Sequence, residues 1–309
     1  MTLSFGYLGP EATFTEAALI QLLTAHDRMD AVRTPMRSAD AALAAVAAGE
    51  LTGAVVPIEN SLEGGVPATL DALTQHDELQ IVAETVVRVR FVLAVKPGTE
   101  LADVTAFSTH PHAEAQTRAW LSENLAAAHY IPAASTAAAA RDLAESDVDY
   151  QVAICPALAA ERYGLTALAD DIGDRKDADT RFVLVSTKRE LPEPTGADKT
   201  TLVAALASDR AGALLELLEQ FSTRGVNLSR IESRPTGDGL GLYQFSIDAQ
   251  GHVAEPRMAE ALAGVHRIAR RLQFLGSYPS ADGEKVVVDP DMTAQAFTAA
   301  HEWLAAIRG

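Results

Sequence analysis

The sequence predicts two α/β lobes followed by a smaller α+β unit, and three observations carry that reading. Over residues 1–186, short apolar runs alternate with stretches of helical periodicity. Residues 79–95 interrupt this alternation with one long β-rich segment. After a linker containing Pro192, Pro194 and Gly196, residues 200–279 repeat strand and helix patterns in the order βαββαβ, which is ferredoxin-like.

In the first half, residues 3–8 read as a strand, followed by a helix through Phe14, Ala17, Ala18 and Leu22. Residues 31–35 form a second strand, and Ser38 is placed to cap the alanine-rich helix ending at Gly49. Residues 54–58 are a short buried strand, with 69–73 in the next helix. This order implies a parallel sheet with helices on both faces. Between 86 and 95, Val87, Val89 and Phe91 alternate with Arg88 and Arg90, as in a strand crossing between lobes. Strands at 104–107, 130–131 and 152–154, with helices at 113–125 and 136–143, then build the second lobe. The strand at 182–185 returns to the first. Two lobes joined by crossings near 79–95 and 180 place a ligand cleft between them.

The domain partition is therefore 1–188, a linker at 189–199, a second domain at 200–279 and a tail at 280–309. In the second domain, strands are expected at 201–207, 226–233, 241–247 and 272–278, with helices at 211–224 and 255–270. The tail carries Val286-Val287-Val288 and a helix presenting Phe297, Ala300, Leu304 and Ile307 on one face.

Composition excludes several classes. The 309 residues are 48% hydrophobic and 22% charged, the balance of a globular chain with a substantial core. A net charge of −17 argues against nucleic acid and anionic membranes as partners. The single cysteine, Cys155, lies in an apolar run and reads as a core residue. No signal peptide opens the chain and no apolar run approaches the roughly 20 residues of a membrane span, so a cytoplasmic protein is expected.

Several strands end in loops rich in small polar groups: Gly9-Pro10-Glu11-Ala12-Thr13, Glu59-Asn60-Ser61, and Ser108-Thr109-His110-Pro111 with Gln116 beyond. The carboxyl ends of parallel strands are where open α/β sheets bind ligands. A fourth polar stretch, 175–181, stops at the apolar run 182–185 and places Thr180 and Arg181 at a strand mouth. Each segment alone is ordinary turn chemistry; their shared position is the signal.

These residues carry a resemblance. Gly9-Pro10 with Thr13-Phe14, Pro57-Ile58-Glu59-Asn60-Ser61, Thr109-His110-Pro111 and Thr180-Arg181-Phe182 resemble the ordered motifs of prephenate dehydratases. Ala12 and Thr109 stand where many relatives have Gly and Ser. Gly212-Ala213-Leu214, Asn227-Leu228 and Ile231-Glu232-Ser233-Arg234-Pro235 resemble a phenylalanine-binding ACT domain. The resemblance implies a periplasmic-binding-protein-like catalytic body and decarboxylating dehydration of prephenate to phenylpyruvate, without metal or cofactor. Arogenate dehydratase, or a two-lobed sensor without turnover, is the alternative.

The resemblance implies catalytic roles for Thr180, Arg181, Phe182, Asn60 and Ser61, with Thr13, Glu59, Thr109 and Gln116 around the substrate. Thr180 would donate to the departing ring hydroxyl within a relay. Arg181 either anchors a substrate carboxylate or pairs with Asp177 or Asp179. Glu59 is read as a helix-start or hinge carboxylate instead of an acid, and His110 as structural at a helix start. For L-phenylalanine as feedback effector, the resemblance implies Gly212, Ala213, Leu214, Asn227, Leu228, Glu232 and Ser233. It also implies a homodimer through the ACT domains, and a homotetramer beyond it.

Overall fold

The computed structural model describes residues 3–208, 210–236 and 242–308. Fifteen strands are numbered along the described residues. The first sheet contains β1 (Ser4–Leu8), β2 (Val32–Met36), β3 (Gly53–Asn60), the two-residue β4 (Gly64–Gly65), β5 (Leu79–Arg88) and β11 (Asp179–Thr187), in the order β2-β1-β3-β11-β5 with β4 on the end of β3. β1 runs parallel to β2 and β3. Helices α1 (Phe14–Ala25), α2 (Ala39–Ala47) and α3 (Pro67–Leu73) connect these strands. The hydroxyls of Thr13 and Ser38 accept from Glu16 and Ala41 backbone N–H, fixing the starts of α1 and α2.

The second sheet has the order β10-β6-β9-β7-β8, built from β6 (Val92–Val95), β7 (Ala106–Thr109), β8 (His129–Pro132), β9 (Val152–Cys155) and β10 (Thr166–Ala169). Its center is parallel, but β6 is antiparallel to β9 and β10 because the chain enters by crossing from the first lobe. Around it lie α4 (Pro111–Gln116), α5 (Arg118–Asn124), α6 (Thr136–Glu145) and α7 (Ala157–Arg162). The single helix expected at 113–125 is two, broken at Thr117, whose buried hydroxyl donates to the Ala113 carbonyl. The crossing at 87–91 has the expected alternation: Val87, Val89 and Phe91 are buried, Arg88 and Arg90 exposed. Strand β11 begins at Asp179, so Thr180 and Arg181 sit inside a strand rather than before it.

The third sheet is β13-β14-β12-β15, all antiparallel: β12 (Asp198–Leu206), β13 (Leu228–Pro235), β14 (Tyr243–Gln250) and β15 (Ala269–Pro279). With α8 (Ala213–Ser222) and α9 (Pro256–Ile268) this is the expected ferredoxin-like order. Leu202, Leu217, Phe221, Ile247, Met258 and Val265 form its core. Gly241, where the third strand of this unit was expected to start, lies outside the described residues. The tail carries α10 (Ala294–Arg308); Val286-Val287-Val288 forms no strand, and Val287 is exposed.

Two compact units result, and they do not follow chain order. One comprises Met1–Thr69 and Thr85–Phe182; the other comprises Leu70–Glu84 and Val183–Gly309. No described helix is long and apolar enough to cross a membrane.

Candidate active site and effector site

Strands β3 and β11 bring two distant motifs together at their ends. The Ser61 N–H donates to the Asp179 carbonyl, and the Asp179 N–H donates to Ser61 Oγ, both at 2.9 Å. This reciprocal pair staples the end of one strand to the start of the other. Beside it, Asn60 Nδ2 donates to Thr180 Oγ1 at 2.9 Å. The amide orientation is fixed independently, because Asn60 Oδ1 accepts from the backbone N–H of Leu62 at 2.9 Å and Glu63 at 3.1 Å. The Thr180 oxygen is therefore an acceptor toward Asn60, which leaves its own proton to be donated elsewhere.

Arg181 is nearly buried and pairs with Glu59 across the same two strands, Nη1 to Oε2 at 3.0 Å. Of the two acids expected beside it, Asp177 pairs with Arg175 and Asp179 with Arg88, each at 3.2 Å. Glu59 is strand, not helix start. The Arg175 guanidinium holds the Asp177 carboxyl below the usual carboxylate range. Phe182 is buried, at the point where β11 enters the core.

The other lobe contributes the end of β7. Thr109 is fully buried, and its hydroxyl donates to the Ile154 carbonyl at 2.7 Å. The strand runs through Ser108 and Thr109, which the sequence placed in a loop. Gln116 ends α4, half-buried, with its carbonyl accepting from the Asp174 N–H at 2.7 Å. His110 caps α4 by accepting the His112 N–H on Nδ1, so this nitrogen is unprotonated. Burial, and then the neighboring His112, lower its pKa.

Two bridges between the lobes were not expected. His112 Nδ1 lies 3.1 Å from Glu63 Oε1. Arg162 of α7 forks onto Glu11 at 2.6 Å and the buried Glu16 at 3.1 Å. The second oxygen of Glu16 accepts the Ala12 N–H at 2.6 Å, where Ala12 has a positive φ of 62°. Thr13 is consumed locally, donating to the Leu8 carbonyl while capping α1. A Thr-x-x-Glu pattern at 13–16 signals a capping acid, but nothing local signals that an arginine 146 residues later completes the cluster.

In the ACT unit, Gly212 has φ 85° immediately before α8, a conformation that favors glycine. Ala213 and Leu214 line a cavity of about 120 Å³ with Leu206, Ser208, Arg210 and Tyr243. Register places Ser233 opposite Phe245, which also lines this cavity. Leu228 is opposite Ala249, toward the far end of the strand, and Asn227 Nδ2 donates to Gln250 Oε1 at 3.1 Å. Asn227 and Leu228 are thus separated from the Gly212–Leu214 turn within one chain. Glu232 is half-buried and lies 3.7 Å from Arg230. No group of three or more metal-ligating side chains occurs among the described residues.

A family model described as prephenate dehydratase matches residues 5–190, and one described as ACT domain matches 200–267. The chain is 44% identical over 303 residues to a prephenate dehydratase of Amycolatopsis methanolica, covering 98% of this chain and 97% of that one. It is 45% identical over 307 residues to a prephenate dehydratase of Mycobacterium tuberculosis (strain ATCC 25618 / H37Rv), covering 98% and 93%. A crystal structure of a prephenate dehydratase from Arthrobacter aurescens in complex with L-Phe is 54% identical, with a TM-score of 0.93 over 99% of this chain and 100% of that one. With its motifs meeting at the ends of β3 and β11 and an ACT fold following, the chain belongs to the prephenate dehydratase family.

Proposed function

We propose that this chain converts prephenate to phenylpyruvate, with the Thr180 hydroxyl as hydrogen-bond donor to the departing ring oxygen. The observation that carries this reading is the Asn60–Thr180 contact. In the reaction the ring carboxylate leaves as carbon dioxide and its bonding electrons move into the ring. The opposite carbon–oxygen bond breaks, and the departing oxygen takes up a proton to become water. The aromatic product supplies the driving force, so the protein's share is orientation and a donor for the leaving oxygen.

Asn60 offers Thr180 only an N–H, so no proton passes through Asn60 to the hydroxyl. The amide instead polarizes the threonine oxygen and turns its proton away from β3. Glu59 neutralizes Arg181, which keeps a bare cation from stabilizing the carboxylate that must leave. Arg181 and Ser61 then serve mainly to hold the two strand ends in register. Phe182 anchors β11, and Thr109 braces β7. Gln116 and the free proton of Ser61 are neutral donors for the substrate.

Incubating the purified protein with prephenate, and separately with arogenate, tests the reading. Phenylpyruvate from prephenate is expected, and Thr180→Ala should abolish most of it. Turnover of arogenate alone, or binding of prephenate without turnover, would overturn it.

We further propose phenylalanine as feedback inhibitor, bound between two ACT domains. The separation of Asn227 from Gly212 along one chain supports a shared site: one copy supplies 212–214 and the other supplies 227–228. A homodimer is then the minimal regulated unit and a homotetramer the expected assembly, working in the cytoplasm.

A further inference from the structure

The segment 70–84 lies in sequence inside the catalytic half, yet it packs as part of the ACT unit. Its contacts there are specific. Gln273 Nε2 donates to the Leu73 carbonyl at 3.0 Å and the His76 carbonyl at 3.3 Å, so β15 caps the carboxyl end of α3. Arg271 reaches the Thr74 carbonyl at 3.1 Å and Asp77 at 2.8 Å, a cation beside a helix carboxyl end. Lys199 pairs with the buried Glu84 at 2.8 Å. At Gly276 a Cβ would collide with the Ile81 carbonyl, so β15 and this segment meet backbone to backbone.

One contact comes from the strand that carries the effector motif. Arg234 of β13 forks onto Asp71 of α3, Nε to Oδ1 at 3.1 Å and Nη2 to Oδ2 at 2.6 Å. This two-point geometry fixes orientation as well as distance. Arg234 follows Ser233 directly and, by strand alternation, shares a sheet face with Glu232 and Arg230. An ammonium group drawn to Glu232 would change the field felt by Arg234. At the other end, α3 starts at Pro67, six residues after Ser61 in the Asn60 loop.

We infer that Asp71 and Arg234 couple the effector strand to the helix leading from Asn60, transmitting inhibition without belonging to either ligand site. This rests on the proposed phenylalanine regulation. A ligand that shifts or re-charges β13 moves α3 through the fork, and α3 moves the Asn60 donor relative to Thr180. Such a two-point contact is a physical link between two sites, which coupling requires.

The test uses Asp71→Asn and, separately, Arg234→Lys in the full-length protein, measuring prephenate turnover, its inhibition by L-phenylalanine, and L-phenylalanine binding by calorimetry. Turnover without effector should stay within about twofold, which also reports folding. Binding should persist, while the concentration giving half-inhibition rises about tenfold or more, the size of a typical allosteric coupling. A double exchange, Asp71→Arg with Arg234→Asp, should recover part of the inhibition. Inhibition unchanged in both single variants would overturn the proposal while leaving regulation intact. A wild-type protein that turns over prephenate but ignores L-phenylalanine would overturn regulation and, with it, this coupling. If Asp71→Asn loses turnover, Arg234→Lys decides, since it keeps the charge and removes only the fork.

Discussion

Asn60 and Thr180 are 120 residues apart in sequence, yet the amide nitrogen of one lies 2.9 Å from the hydroxyl oxygen of the other. The direction of that bond makes two substitutions informative. Thr180→Ala removes the donor and should lower kcat roughly 100- to 1,000-fold with a smaller change in KM, whereas Thr180→Ser should keep part of the activity. Asn60→Asp presents an acceptor where Thr180 now meets a donor, drawing the hydroxyl proton back toward β3. Its kcat should fall to a similar extent while the fold persists, as steady-state kinetics beside a thermal melt will show.

The two acids on Arg162 should differ sharply in worth. Glu16 is buried and also holds the Ala12 N–H, so Glu16→Ala strands a donor and half of a guanidinium. A cost of about 3 kcal/mol is expected. Glu11 is half exposed, so Glu11→Ala should cost about 1 kcal/mol or less. Urea unfolding of the two variants gives the comparison, and equal losses would contradict it.

His110 supplies a pH-dependent component of stability. Burial and His112 lower its pKa, while Glu63 raises it by a smaller amount. The unfolded chain therefore binds the proton more readily than the folded one. The contribution is present above the unfolded value of about 6.5 and is lost as pH falls from there through the lowered folded value. His110→Asn, which retains a capping oxygen, should reduce the drop in Tm between neutral and mildly acidic buffer relative to wild type.

Cys155 should be chemically silent in the native state. It is buried in β9, and burial pushes its thiol up to about 12. At mildly alkaline pH a disulfide reagent should leave the folded protein unmodified and titrate one thiol after denaturation. Rapid native reaction would show that β9 opens.

The legible parts of this molecule were those with local causes. The period of Val87, Val89 and Phe91 disclosed the crossing, and Ser38 marked a helix start by its own hydroxyl. Asn60 and Thr180 could be named because each ends or begins a buried strand in a recognizable motif. Their mutual contact could not, because it depends on β3 and β11 being neighbors. Arg181 shows the same limit. Sequence proximity suggested Asp177 or Asp179, but those carboxylates meet Arg175 and Arg88, and the cross-strand Glu59 comes within reach of Arg181 only because β3 and β11 pair. α7 and β10 were missed for a different reason: Ala157–Arg162 is too short to establish a period, and β10 is largely exposed.

The Gly276–Ile81 approach carries a consequence for anyone dissecting this chain. A cut in the proline-bearing linker looks natural in sequence, but it would separate β15 from the helix end and strand that it caps. The Leu73 and His76 carbonyls would lose Gln273, and Glu84 would lose Lys199, all in polypeptide left behind on the catalytic fragment. Residues 70–84 belong to the same compact unit as the chain after the linker, so the two stretches should be expressed and recombined as a pair.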